Sequence, residues 1–586
     1  MSAAAVPARA TGAAGLVWGP RLTSLALQGL LGLLVIYPIG MLVVGAFTPG
    51  DTPSNGPGSL GLDSFRILLT DFEIGRATAN TLVIAGAASV LATVIGVAFA
   101  WVVTRTDAPW RRGIEIASLL PIFVPPLVAG IAWSFLGSPT TGMINLALKA
   151  AGAEWRVDFY SLPGMIFVFG IYNAPYVYLF VRPAFAGLDS AMEEAALMAG
   201  ANARTAFTTI TLPLLAPSIM AGALLAFVVM LGTYGIPGAL GTPGRIPVLS
   251  TTLYRLVSGT PPQYNVAAAL ALILMAATGL VILAKRQVMR GRSYVTITAK
   301  ARPARRIALG ALRWPVFATA MLYLLVATVL PTLMLAIASL RRFLFFKDIA
   351  SLFDLSQYTL DHFHALWAAP ATLRSIVNAI ELGAISAVVG GVLAFVFAYA
   401  VHRSRLPGRA ITEILVSLPV AVPSLVIGVA YLWAMMGLPI NLYGTITIMA
   451  VALVARFLPD AMQALSTSLL QIHRDLEEAS WVCGRSVLGT VAAIVVPLAR
   501  PGIAAAAMLL FILALRELGS TLFLFTNRTQ PLSIYLLTYF EAGNISATAA
   551  LCIVQIALLA AVLGIAGALT RRPTARTRPL PEGVST

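Results

Sequence analysis

Charge is scarce in this chain, cysteine and histidine are scarcer, and each scarcity closes off a class of function. Only 11% of the residues are charged against 59% hydrophobic, and the mean hydropathy is +0.88, far from the balance that keeps a folded domain in water. The chain reads as an all-α integral membrane protein. Its two cysteines, Cys483 and Cys552, fall in an expected cytoplasmic loop and an expected span, so no disulfide is expected. Four dispersed histidines leave no cluster with metal-ligand spacing. No nucleophile, base or metal group can be assembled into a membrane enzyme. The phosphate-cradling pattern G-x-x-x-x-G-K-[ST] is missing throughout, so nothing here binds a nucleotide.

Long apolar runs are what the chain has instead. A helix needs about 20 apolar residues to cross the hydrocarbon, and twelve stretches approach that length. They are Leu22 to Phe47, Thr81 to Val103, Ile114 to Phe135, Gly164 to Phe185, Leu215 to Ile236, Val266 to Leu283, Pro315 to Ala338, Ile376 to Val401, Ile411 to Met435, Ile440 to Ala455, Ile503 to Phe525 and Ala547 to Ala568. The first is too long for a signal-peptide core and lacks a small-residue cleavage site, so it is read as retained, with the N-terminus in the cytoplasm. Alternation then places Arg105, Arg111, Arg112, Arg403, Arg405, Arg409, Arg571 and the run from Lys285 to Arg306 inside. This is the positive-inside bias. The net charge of +16 therefore reports topology and points away from nucleic acid. The central run can meet anionic membrane lipid or serve as a solvated linker.

The chain repeats itself. Asn80, Arg105, Pro109, Arg111, Glu115, Pro121, Pro125 and Gly130 recur 298 positions later as Asn378, Arg403, Pro407, Arg409, Glu413, Pro419, Pro423 and Gly428. Glu194, Gly200, Ile210, Pro213, Pro217 and Gly235 recur 284 positions later as Glu478, Gly484, Ile494, Pro497, Pro501 and Gly519. The first half therefore carries 14 extra residues, expected in the loop "SPTTGMINLALKAAGAEWRVDFYS". Six spans per half return the chain to its starting side, so the halves are parallel and related by a pseudo-twofold axis along the membrane normal. The expected organisation is a cytoplasmic tail (1–20), a first repeat (21–284), a basic linker (285–313), a second repeat (314–570) and a second cytoplasmic tail (571–586).

Between the fourth and fifth spans of each half lies a polar segment, "EEAALMAGANARTAFTTITLP" and "EEASWVCGRSVLGTVAAIVVP". Ser190 and Glu193 have capping-box spacing, Gly200 supplies a positive-φ stop, and Asn202 opens a second helix running to Pro213. Asp475, Gly484, Ser486 and Pro497 repeat the scheme. Glu193, Glu194, Ala195, Ala196 and Ala199, with Glu477, Glu478, Ala479 and Ser480, give each copy acids beside small residues. Such a face lets another surface approach the helix backbone while a carboxylate meets Arg or Lys across the contact. A solvated connector would also be well capped, but duplication at matched depth favours docking.

E-A-A, Gly, and then I-x-L-P at this spacing resembles the cytoplasmic loop of binding-protein-dependent ABC importer permeases of the type I fold. Glu194, Ala195, Ala196, Gly200, Ile210, Leu212 and Pro213 fit it; the second copy keeps Glu478, Ala479, Gly484, Ile494 and Pro497 but has Ser480 and Val496 for Ala and Leu. The resemblance implies that each loop couples to a separate, homodimeric ABC ATPase that binds ATP and Mg, leaving this chain without a cofactor. It also implies a periplasmic or lipid-anchored substrate-binding protein and location in the bacterial inner membrane, both termini cytoplasmic. A fused two-loop chain with "RGRSYVTITAK" and "LALRELGSTLFLF" looks most like the iron(III) group, with thiamine and 2-aminoethylphosphonate permeases as neighbours.

Pathway residues are less marked. Glu381, Arg516 and Glu517 stand where the first half has Val83, Gly232 and Thr233, and charge held by one half alone suits substrate or gate work; Arg516 and Glu517 could equally snorkel at a helix end. Glu115 and Glu413 read as structural carboxylates at helix starts, paired with Arg112 or Arg409. The pairs Pro121–Pro125 and Pro419–Pro423 either expose carbonyls to a cavity or set kinks. Tyr172, Tyr176 and Tyr178 line a path or belong to an interfacial belt. A major-facilitator-type carrier would share the twelve spans, but it couples through intramembrane acids that are nearly missing here.

Overall fold

A computed structural model describes residues 19–48, 60–188, 191–289, 306–344, 348–404, 406–439 and 441–570. Ser190, the "RGRSYVTITAK" segment, most of the basic linker and both tails lie outside them. Among the described residues the chain is helical, and ten helices are long and apolar enough to cross a membrane. In the first half these are α1 (Pro20–Phe47), α2 (Phe72–Arg105), α5 (Leu162–Gly187), α7 (Arg204–Gly232) and α9 (Tyr264–Ala284). Between α2 and α5 comes a broken pair, α3 (Arg111–Phe123) and α4 (Pro126–Gly137). The short helices α6 (Ala191–Met198) and α8 (Leu249–Ser258) flank α7.

The second half repeats the order. Its helices are α10 (Gly310–Leu340), α11 (Pro370–His402), the broken pair α12 (Arg409–Ala421) and α13 (Ser424–Met436), α14 (Ile446–Leu470), short α15 (Asp475–Val482), α16 (Val487–Arg516), short α17 (Leu532–Glu541) and α18 (Ile545–Ala568). The first half alone carries a short helix, Met143–Ala150, between α4 and α5, where the 14 extra residues are expected.

Two expectations change. The third and ninth spans are not single helices: α3 meets α4 at 98° and α12 meets α13 at 110°. Proline at 125 and 126, and at 423, removes amide donors, and it drives the residues before it, Val124 and Val422, out of the helical region. The tenth span does not stop at Ala455 but continues as α14 to Leu470, carrying Arg456 inside it. Elsewhere proline acts more gently. The turns Phe207–Thr211 and Val491–Val495 widen to π geometry just before Pro213 and Pro497, because the proline ring crowds the carbonyl four residues back.

The halves exchange their first spans. Helix α1 packs on α12 and α13 of the second half, and α10 packs on α3 and α4 of the first. Ser24 and Gln28 donate to the carbonyls of Pro407 and Gly408 at 2.5 and 3.2 Å. Tyr37 and Tyr431 donate to the carbonyls of Ala434 and Leu34 at 3.1 and 2.7 Å, while Tyr323 of α10 donates to Ile171 at 2.8 Å. Each half keeps its own three-helix centre, α2 with α5 and α7, and α11 with α14 and α16. The reciprocal swap is the parallel, pseudo-twofold arrangement expected from an even number of spans. Even a backbone turn repeats: Trp110 and Gly408, 298 positions apart, both take left-handed φ, 50° and 75°, before α3 and α12.

Candidate functional site

The polar segments form two elbows on one face of the bundle. Helices α2 and α11 end there, α1 begins beside the Pro407–Gly408 turn, and the chain entering α10 runs beside the end of α2 through Ile307 N–H to the Arg105 carbonyl, 2.8 Å. The elbows match in their turns and caps. Gly200 and Gly484 have φ of +90° and +81°. In each, the next amide closes the turn, Ala201 to the Ala196 carbonyl at 3.0 Å and Arg485 to Ser480 at 3.1 Å, a Schellman pattern. Asn202 then accepts from the Thr205 amide at 2.8 Å and Ser486 from Gly489 at 3.1 Å, so both second helices are capped. Asp475 is no cap: it is the first residue of α15 and its carboxylate lies 3.0 Å from His473.

Each elbow is anchored by an ion pair between residues drawn from the two blocks of the repeat. Arg105 meets Glu193 at 3.2 Å, and Arg403 meets Glu477 at 3.3 Å. Thr211 also donates to Glu193, and Tyr399 to Glu477 at 3.0 Å. Arg403 further donates to the carbonyls of Leu469, at 2.7 Å, and Ile472. The first acid of each elbow therefore faces inward, against the expectation that it waits for a partner protein. Glu194 and Glu478 stay exposed with Ala195, Ala479, Gly200 and Gly484.

Sequence reasoning missed the apolar part of this surface. Met192, Leu197 and Met198 are exposed on the first elbow, and Leu476, Trp481 and Val482, each 284 positions on, are exposed on the second; Met198 and Val482 reach 89% and 88%. A spacing comparison would have found them, but apolar residues carry no signal in so apolar a chain. Beside the first elbow, a cavity of about 370 Å³ reaches Arg105, Glu193 and Glu194.

Between the halves lies a central cavity of about 120 Å³, lined by both helix breaks at Pro125 and Pro423 and by Tyr176, Arg456, Arg516 and Glu517. The breaks do free carbonyls, and arginine and threonine side chains cover them. Arg516 donates to Ile122 of the first break, Arg456 to Pro419 of the second at 3.3 Å, and Thr278 to Ala421 at 2.5 Å. Arg516 is thus a bridge between halves, and the snorkelling alternative falls. Glu517 accepts from the Ser520 amide at 3.1 Å, fixing the turn after α16.

The repeated Gly235 and Gly519 hold the loops after α7 and α16 against the starts of α4 and α13. A Cβ on Gly235 would sit 2.4 Å from the Leu127 nitrogen, and one on Gly519 2.5 Å from Ser424 Oγ. Arg456 was missed because the apolar window ended one residue short of it; shifting Tyr172 by 284 would have found it.

Glu381 does not join this cavity. It lies on the exposed stripe of α11 with Val377 and Val388. Glu115 pairs with Arg182 of α5 at 2.8 Å, not with Arg112, because α5 and not the helix's own first turn presents the nearest guanidinium. Of the tyrosines, Tyr176 lines the cavity while Tyr172 and Tyr178 are buried in the packing of α5.

A family model for the binding-protein-dependent transport system inner membrane component matches this chain twice, over residues 92–287 and 386–574. The chain belongs to that family. As a binding-protein-dependent transport permease it is a multi-pass bacterial inner-membrane subunit, and an ion-coupled carrier or a membrane enzyme is set aside. It is 25% identical over 540 residues to the ferric transport system permease protein FbpB of Actinobacillus pleuropneumoniae, covering 91% of this chain and 76% of that one. It is 28% identical to the molybdenum transport system permease protein ModB of Escherichia coli (strain K12) over 36% of this chain and 90% of ModB. A bacterial ABC transporter that imports the acidic polysaccharide alginate matches with a TM-score of 0.39 at 22% identity, over 46% of this chain and 96% of that one.

Proposed function

We propose that this permease imports iron(III), driven by a separate homodimeric ATPase that binds ATP and Mg and grips both elbows. In this reading the elbow face and both termini are cytoplasmic, and a periplasmic or lipid-anchored binding protein delivers cargo to the opposite face. The observation that carries the coupling is the matched pair of elbows. Each is tied by an Arg–Glu contact to the end of a long span, α2 or α11, and each offers a matched outward set of an acid, small residues and three apolar side chains. A symmetric partner can push both alike, and the ion pairs pass the displacement to helices that line the two halves. Iron(III) is supported by the similarity to the ferric permease over most of the chain's length.

The test is uptake of radioactive iron(III) by liposomes holding the permease with its ATPase and binding protein. Uptake that requires ATP and the binding protein is expected. Iron uptake driven by an ion gradient without ATP would defeat the coupling, and ATP-dependent uptake of thiamine or 2-aminoethylphosphonate in place of iron would defeat the cargo assignment alone.

A further inference from the structure

The face opposite the elbows holds a larger cavity, about 900 Å³, walled by the first half and closed on one side by Glu541 of the second. Tyr234 lines both this vestibule and the central cavity, so it stands where one opens toward the other. Tyr234, just after α7, and Tyr254, in α8, belong to the first half; Glu541 ends α17 in the second. Tyr234 donates to one carboxylate oxygen of Glu541 and Tyr254 to the other, each at 3.2 Å, and the two rings lie 4.9 Å apart. Four oxygens from three side chains of both halves thus converge in the vestibule. The other half has no such set: 284 positions away, Leu518, Thr538 and Val257 occupy the corresponding places. Around the rim stand Arg76, Arg245 and Arg255, the last bonded to Glu73 at 2.8 Å.

Resting on the iron reading, we propose that Tyr234, Tyr254 and Glu541 are a transient ferric-ion site at the entry to the central cavity, with the arginine rim holding an oxyanion that accompanies the ion. The donors are all hard oxygens, which suit a small, highly charged cation better than a soft one. Two phenolates and one carboxylate sum to three negative charges, so a trivalent ion leaves the triad neutral where a divalent ion would leave it negative. Without cargo each phenol keeps its proton in a hydrogen bond to Glu541. When iron enters, each phenol passes its proton to water or to the departing chelator as its oxygen bonds the metal.

The full chain in lipid nanodiscs, titrated with ferric nitrilotriacetate in the presence of phosphate, tests this. The wild type is expected to develop a visible phenolate-to-iron charge-transfer band saturating near one iron per chain. Y234F/Y254F should lose the band while still unfolding cooperatively, at a thermal midpoint lowered by the two lost hydrogen bonds, E541Q should bind about tenfold more weakly or worse, and Y535F, away from the vestibule, should keep the band. Iron bound without the band, or a band surviving Y234F/Y254F, overturns the site. Normal ferric uptake by the complete transporter carrying Y234F/Y254F overturns the site and leaves the iron reading standing. A band in the wild type without ferric uptake would keep the site and remove the reading.

Discussion

The elbows and the central cavity are built from the same repeat and have diverged by opposite amounts. At the elbows the two halves agree in glycine φ, closing amides, caps, anchoring ion pair and exposed apolar triad. In the cavity they disagree: Arg456, Arg516 and Glu517 of the second half face positions that are Tyr172, Gly232 and Thr233 in the first. Even where the first half touches the second closely it does so without charge, since a Cβ on Gly232 would meet Pro423 Cβ at 2.5 Å. A surface that receives one push from a symmetric partner gains nothing by differing between halves. A surface that meets a small cargo has no symmetry to match, and one wall can hold charge while the other holds shape.

The largest test of that contrast lies inside the matched elbows, where burial is unequal. The side chains of Arg403 and Glu477 are 3% and 4% exposed, whereas Glu193 is 21% exposed beside Arg105. R403M should destabilise by about 3–5 kcal/mol, because it strands a buried carboxylate, and R105M by clearly less. Thermal midpoints in nanodiscs read both. R403M/E477M should recover most of the loss, since replacing both partners removes the stranded charge. Equal losses for R105M and R403M would mean that burial does not set the strength of the anchor.

Next in size is the charged wall of the cavity. R516M removes a hydrogen bond from a charged donor to Ile122, so stability should fall by about 1.5–3 kcal/mol, and uptake should fall at least about tenfold while ATPase stimulation by the folded protein holds. The symmetrising change G232R should not restore it, because Gly232 lies against Pro423. Restoration by G232R would show that the cavity is functionally symmetric and the comparison false.

Smaller still, G200V and G484V each force a side chain into left-handed backbone, costing about 1–2 kcal/mol, in open space where no neighbour lies within 4 Å. Either change should uncouple ATP hydrolysis from uptake, and to the same degree in both halves. A large difference between them, read as the ratio of ATP hydrolysed to cargo moved, would break the elbow symmetry.

Much of this was legible because the informative residues are local and stand out against an apolar background. Gly200, Asn202 and Pro213 set turn, cap and π turn within a dozen positions, and their copies announced the repeat. The proline pairs signalled a break but not one of about 100°, which depends on how α4 and α13 pack on the loops after α7 and α16. The roles of Glu193 and Arg105 were separable only in space, since 88 positions divide them; the repeat had flagged each without joining them. Tyr234 and Glu541, 307 positions apart, carried no pattern at all. Arg456 was hidden by a hydropathy window that treats a buried arginine as the end of a span.

The smallest expected effect returns to the repeat on the face opposite the elbows. Asn80 donates to the Pro247 carbonyl at 2.9 Å, and Asn378, its counterpart, donates to both Arg528 at 3.0 Å and Gln530 at 3.1 Å. Each tether ties the start of a long span to the loop that follows α7 or α16, and in the first half the tied residue, Pro247, lines the vestibule. One neutral hydrogen bond contributes about 1 kcal/mol net, so N80A should lower stability by about that amount and N378A by slightly more. Uptake should be affected less than stability, because neither side chain reaches the central cavity. If N80A alone impaired uptake, the tether beside Tyr234 would be part of the cargo path, and the divide between shared scaffold and divergent cavity would have to be drawn closer to that face.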